Sequence, residues 1–352
     1  MNKVVVVAGP GRSGTSALAG ILSHLGTRVS RPHLPADERT DQPSFETKWV
    51  VEHHLALMRR DPLVRALDTR PGAADLARRL TTAEDEVALN HWLGGVLHDA
   101  PTGQVVVNDP RAFWFHDHWT SVVDRLGADL GYLVLLSDPV GFVRARDVLK
   151  DDADRDPGSR RQRDTAFLAE WVHSLLVVEE STRQDVRAFV RHADLLADWR
   201  PAVSALAERV GLALDLEGGG AAVDDLVGSV PAESTPGWDE VDVPDTLRDI
   251  AVRLWEQLGR LADDPADPSV PEALAVLRTD YDRVFDHALG VATDHTATRE
   301  MYVGRRTRAS VTSKFESQIA ELEQQLEEAR GGRGDDEADD RSRGGLGSRW
   351  RG

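Results

Sequence analysis

The first apolar block of the chain is continuous. Lys3 to Ala8 reads Lys-Val-Val-Val-Val-Ala, with no polar alternation to mark a wet face. A β-branched run of this kind predicts a strand buried on both faces, as in a parallel sheet. Gly9 to Gly14 break the run, and from Thr15 the residues Ala17, Leu18, Ile21, Leu22 and Leu25 follow helical spacing, with Gly26 as the stop. Further apolar runs predict strands at Gln104–Val107, Gly131–Leu136 and Arg187–Arg191. Helical spacing predicts helices at Trp49–Arg60, Ala83–His98, Ala166–Thr182 and Trp199–Val210, and again at Asp245–Ala262 and Pro271–Leu289. Strands alternating with helices predict an α/β fold, a mostly parallel sheet flanked by helices on both faces.

Two stretches have little to bury. Asp151–Asp164 is a run of Asp, Arg, Gly and Pro that predicts an exposed loop with the composition of a lid. Glu217–Pro244, rich in Gly, Asp and Pro, predicts a second irregular stretch. Near the end, Val311, Phe315, Ile319, Leu322, Leu326 and Ala329 are spaced 4, 4, 3, 4, 3, a heptad seam among Glu and Gln. Two readings of it stand: a short coiled coil that joins copies into a homo-oligomer, or an amphipathic helix packed on its own domain. Residues 331–352 carry five acids, five Arg and many Gly and Ser, which predicts a disordered tail. The expected organisation is an α/β domain over residues 1–300, a coiled-coil helix over 311–330, and the tail.

Composition narrows the function. The 352 residues include 42 Lys+Arg against 60 Asp+Glu, a formal charge of -18. A general nucleic-acid coat needs a net basic face, so nucleic acid is not an expected partner. An anionic ligand must be held by a local cluster of cations. The chain has no Cys, which excludes disulfides, thiolate metal sites and a Cys nucleophile. No stretch approaches the ~18 apolar residues of a membrane span, and the start resembles no signal peptide, so the expected location is cytoplasmic.

The break after the first strand carries the chemistry. It reads Gly9-Pro10-Gly11-Arg12-Ser13-Gly14-Thr15-Ser16. Glycines let the backbone bring several N–H groups to one point, and the following helix adds the positive end of its dipole, so the loop favours a phosphate. Against the pattern G-x-x-x-x-G-K-[ST], Gly9, Gly14 and Ser16 match, but Thr15 stands where the Lys belongs. The cation comes three positions earlier, as Arg12. A triphosphate hydrolase or a P-loop kinase, with Asp138 as its Mg²⁺ carboxylate, is disfavoured by the missing Lys. The plainer alternative is a simple strand-to-helix turn.

The segment GPGRSGTSAL resembles the 5′-phosphosulfate-binding loop of sulfotransferases that use 3′-phosphoadenosine 5′-phosphosulfate (PAPS), in its bacterial form. The resemblance continues in order over about residues 3–210. Pro43-Ser44-Phe45-Glu46 is similar to the family's acceptor-facing segment with an aromatic residue and Glu. Asn108-Asp109-Pro110-Arg111 is similar to the bacterial Lys-Asp-Pro-Arg segment. Leu133–Asp147 resembles the strand, turn and helix that hold the 3′-phosphate, and Arg187–Arg200 the later strand with its Arg-Tyr-Glu-Asp-Leu pattern. Three positions depart from it: Ser137 and Ala145 replace an Arg and a Ser that touch the 3′-phosphate, and Asn108 replaces the Lys. Arg144 and Arg146 are the candidates to compensate. Residues two apart on a helix do not share a face, so at most one of them points inward.

The resemblance implies transfer of a sulfuryl group from PAPS, as co-substrate, to a hydroxyl on a small molecule, glycan or lipid. Gly11, Arg12, Ser13, Gly14, Thr15 and Ser16 would hold the 5′-phosphosulfate, with Arg12 also stabilising charge on the leaving phosphate. No metal is demanded, because cations alone can neutralise that charge. An acceptor hydroxyl needs a general base, and Glu46 is the first choice; the plainer reading of Glu46 is an acid at a helix start. His53, His54, His116 and His118 are further candidates to line the acceptor pocket. His116-Asp117-His118 shares a face only in an extended strand, and no third metal ligand is apparent. Trp114, Phe115 and Trp119 read as core rather than as a sugar platform. The departures at Ser137 and Ala145 keep a second class open, a catalytically silent binding or scaffold protein with the same fold.

Overall fold

The computed structural model describes residues 2–36, 43–61, 69–147, 157–230 and 237–343. Five parallel strands form one sheet: β1 (Lys3–Ala8), β2 (Arg28–Val29), β3 (Gln104–Asn108), β4 (Asp129–Leu136) and β5 (Val186–Arg191). Their order across the sheet is β2-β3-β1-β4-β5. Val4 and Val6 of β1 pack into one layer of core while Val5 and Val7 pack into the other. The strand therefore needs an apolar residue at every position, which explains its unbroken valine run.

Helices cover both faces. On one lie α1 (Thr15–His24), α9 (Trp199–Val210) and α10 (Gly220–Ser229), sharing a core of Leu18, Leu22, Val203 and Val223 with the sheet. The other face carries α2 (Lys48–Met58), α3 (Ala73–Arg78), α4 (Ala83–His98), α5 (His116–Arg125), α6 (Pro139–Asp147), α7 (Pro157–Ser181), α11 (Asp245–Asp263) and the first turns of α12 (Val270–Arg343). The short α8 (His192–Ala197) follows β5 directly. Trp114, Phe115 and Trp119 are fully buried in the second layer, as their reading as core required.

The polar segments differ from expectation. Pro157–Asp164 is the first part of α7 rather than loop, and its Asp164 is buried, while residues 148–156 of that segment lie outside the described residues. Helix α10 and a single 3₁₀ turn at Trp238–Glu240 interrupt the stretch expected to be irregular. Val223 of α10 is fully buried and Leu226 packs beside it, so a short apolar stripe decides the helix over its flanking glycines. His116-Asp117-His118 begins α5, where residues two apart do not share a face. The helix α12 runs from Val270 to Arg343. The chain divides into two compact units, Met1–Asp286 and His287–Gly352. Among the described side chains, Tyr281 is the last fully buried one of α12. No described helix is long and apolar enough to cross a membrane.

Candidate functional site

In a parallel sheet all the carboxyl ends of the strands lie at one edge. Here β1 has β3 on one side and β4 on the other, so the connections diverge beside it. A crevice at such a divergence is the usual ligand site of open α/β sheets. The residues that follow β1, β3, β4 and β5 all reach it.

After β1, Gly9 and Gly14 adopt positive φ values of 148° and 91°. A Cβ on Gly14 would meet the His192 ring at 2.4 Å, so only glycine admits that close approach. Gly14 is also the N-cap of α1 and offers no side chain to the first helical turn. The Ala17 and Leu18 N–H groups bond the Gly14 carbonyl, so the first-turn N–H groups that the cap leaves to a ligand are those of Thr15 and Ser16. The Ser13 hydroxyl is turned inward, donating to the Pro10 carbonyl at 2.7 Å. Arg12 stands at the loop's crest with φ of 78°, a left-handed conformation that costs energy outside glycine.

Facing this loop across a cavity of about 430 Å³ is the segment Pro43–Glu46. The cavity is lined by Gly11, Arg12, Gly14, Thr15 and Ser16 on one side and by Ser44, Phe45 and Glu46 on the other. Phe45 is the second non-glycine residue with positive φ, 49°. Hydrogen bonds hold the segment in place. The Ser44 hydroxyl donates to the Leu34 carbonyl at 3.1 Å and accepts from the Glu46 N–H at 3.3 Å. Asn108, where the resembled family has Lys, donates from Nδ2 to the Ser44 carbonyl at 2.9 Å. Its amide thus positions the Glu46 segment from the end of β3.

Behind Glu46 runs a chain of buried polar groups. The Trp119 indole N–H lies 3.1 Å from His54 Nε2 and can only donate. His54 therefore accepts there and donates from Nδ1 to Asp109, at 2.7 Å. Asp109 is fully buried, and its other oxygen accepts from the Arg111 N–H at 3.0 Å and from Arg111 Nη1 at 2.5 Å. Burial acts to raise the Asp109 carboxyl, but His54 and Arg111 hold it below its ordinary value. Arg111 Nη1 then lies 3.9 Å from Glu46 Oε2. Glu46 is raised to about 7, by burial first and then by the Asp109 carboxylate, with Arg111 and Arg12 opposing. A carboxyl that titrates near neutrality beside a cationic loop is equipped to accept a proton at pH 7.

The other sequence candidates lie elsewhere. His54 is enclosed by Asp109 and Trp119. His53 and His118 meet each other through Nε2 at 3.0 Å, and both are lowered to about 4, chiefly by burial. His116 is held between Asp117 and Asp185 at 3.0 and 2.7 Å. None of the four lines the cavity. Arg144 and Arg146 do not line it either. Arg146 pairs with the buried Glu170 and lies against Phe142 and Phe167, and Arg144 Nε sits 3.8 Å from Glu240. Carboxylates distant in sequence claim both cations. Asp138 accepts from the Gly141 N–H at 2.8 Å, which gives it the role of a cap on α6.

Five residues of the cavity, Leu34, Pro35, His192, Leu226 and Val230, were not among the candidates of the sequence reading. His192 follows β5 directly, and its signal was a His at the carboxyl end of a buried strand. Leu226 and Val230 come from the segment read as irregular, so nothing pointed to them.

A five-stranded parallel sheet flanked by helices, with a glycine loop joining its central strand to α1, gives the protein an α/β fold. No protein-family model and no curated protein matches the chain. Its structure is similar to the "Sulfotransferase Domain from the Synechococcus PCC 7002 Olefin Synthase", with 12% identity, a TM-score of 0.39 and coverage of 73% of this chain and 94% of that one. It is also similar to the "Sulfotransferase Domain from the Curacin Biosynthetic Pathway", with 12% identity, a TM-score of 0.34 and coverage of 68% and 81%.

Proposed function

We propose that the protein transfers a sulfuryl group from PAPS to an acceptor hydroxyl. The observation that carries this reading is one cavity with Arg12 and the uncapped start of α1 on one wall and Glu46, raised to about 7, on the other. The residues present fit the 5′-phosphosulfate end of the donor: a glycine cradle, open amide groups and a guanidinium. Bound there, the donor supplies a sulfuryl group on a phosphate leaving group. Arg12 and the α1 amides neutralise the charge that grows on the leaving oxygen as its bond to sulfur breaks. Glu46 takes the proton from the acceptor oxygen as that oxygen bonds to sulfur. Asn108 and Arg111 act as positioning residues, one holding the Ser44 carbonyl and the other flanking the carboxylate.

At the 3′-phosphate end the residues do not fit as well. Ser137 is buried and its hydroxyl has no hydrogen-bond partner among the described residues, Ala145 is apolar, and Arg144 and Arg146 are engaged with Glu240 and Glu170. This favours a second reading, a protein that keeps the fold but no longer uses PAPS. The deciding experiment mixes the protein with PAPS and a panel of phenol and alcohol acceptors and follows sulfuryl transfer. Nucleotide binding is measured in parallel by calorimetry with adenosine 3′,5′-bisphosphate. Transfer that depends on Arg12 and Glu46 supports the enzyme; no transfer and no bisphosphate binding leaves the silent binder.

A further inference from the structure

Beyond Asp286, α12 carries large apolar side chains in the open: Met301, Phe315 and Ile319 are each more than half exposed. From Phe315 the alternating spacing of three and four extends backward through Thr312, one position beyond Val311, and then Arg308, Arg305, Met301 and Thr298. Seam positions 298–329 span about 48 Å of helix. The charges along them fall in two blocks. Residues 299–314 carry five cations, Arg299, Arg305, Arg306, Arg308 and Lys314, against the single acid Glu300. Residues 315–328 carry five acids, Glu316, Glu321, Glu323, Glu327 and Glu328, and no cation.

A second copy laid parallel and in register sets Arg305 opposite Arg305 and Arg308 opposite Arg308, with block against like block. Like charges opposed in a seam are destabilising. Laid antiparallel, with position 299 opposite position 328, each block meets its complement. That register also sets seam positions 301, 305, 308 and 312 opposite seam positions 326, 322, 319 and 315. Registers seven residues apart also keep seam against seam, and the charge blocks favour this one, in which the two blocks cover each other end to end.

We infer that residues 298–329 of α12 pair with the same segment of a second copy as an antiparallel two-helix coiled coil. Orientation follows from the charge blocks and cohesion from the apolar ends of the seam. The pairing is independent of what the α/β unit does.

Light scattering on the full chain, with chemical cross-linking through introduced cysteines, tests it. The chain has no Cys, so each variant carries one thiol. A dimer is expected, and oxidising a mixture of M301C and L326C should link one variant to the other, while neither links to itself. Self-linking of each variant would establish parallel pairing and overturn the inference, as would a monomer. The triple variant E321K/E323K/E327K should be monomeric, and mixing it with R305E/R306E/R308E should restore a dimer. Failure of that mixture to associate would remove the charge blocks as the determinant of pairing.

Discussion

Two neighbouring corners of the sheet edge treat charge in opposite ways. After β1, the chain presents a guanidinium and uncapped helix amides to a cavity, and across it a carboxyl held near neutrality. After β4, α6 carries two guanidinium groups, but the protein's own carboxylates take them: Glu240 beside Arg144, Glu170 on Arg146. On the proposed function, the first corner keeps its charges for a ligand, while the second commits them to the fold. Groups of the first kind should register in activity, and groups of the second kind in stability.

The strongest test of the open corner is Arg12→Ala. An arginine that stabilises charge in a transferring group is worth ~10³–10⁵-fold in rate, so transfer should be abolished while the melting temperature moves little. Arg12→Lys should retain part of the activity. A fully active Arg12→Ala protein would remove this residue from the chemistry.

Glu46→Gln should follow at ~10²–10⁴-fold, the usual contribution of a general base. Wild-type kcat/KM should rise with pH and level off above about 7, because only the deprotonated carboxylate accepts a proton. In the Gln variant that inflection should vanish while bisphosphate affinity stays. Lost affinity instead would make Glu46 a structural residue of the cavity wall.

How far these corners were legible follows from where their partners sit. The β1 run, the glycine loop and Arg12 are local, and the predicted strand matched β1 residue for residue. Helix α4, Ala83–His98, was equally plain, since its apolar stripe follows a Thr82–Asp85 capping box. The two-residue β2 is too short to leave a pattern. Helix α5 was hidden because its first turn is polar, although His118, Trp119, Val122 and Val123 are buried on one face. Spacing correctly warned that Arg144 and Arg146 do not share a face, yet it could not show that neither enters the cavity. That outcome depends on Glu170 and Glu240, which only the folded chain brings near.

The closed corner can be reopened. Glu170→Gln removes the anion that holds Arg146, and the nucleotide preference should change with it. Wild-type protein should favour adenosine 3′,5′-bisphosphate over AMP only weakly. A charge-assisted hydrogen bond contributes ~1.5–3 kcal/mol, so a freed Arg146 should raise the preference by ~10-fold or more. A preference of ~10²-fold already present in the wild type would mean that another group holds the 3′-phosphate.

The smallest effect belongs to a group wholly committed to the fold. Burial acts to lower the His116 imidazolium, but its bonds to Asp185 and Asp117 outweigh this and raise it above its ordinary 6.5. The folded protein therefore holds this proton more tightly than the unfolded chain does. Linkage then fixes the sign: the stabilisation is fully present below pH 6.5 and is lost as pH rises through the higher folded value. Thermal unfolding followed from pH 6 upward should show that loss. In Asp185→Asn, which removes the closer of the two carboxylates, the slope should flatten, with the largest difference from wild type at the acidic end. His116 does not line the cavity, so the pH dependence of transfer should be the same in both proteins. Equal slopes in the two melting series would show that the His116–Asp185 contact holds no proton beyond what the unfolded chain binds. A shifted pH–rate profile would tie His116 to the open corner instead.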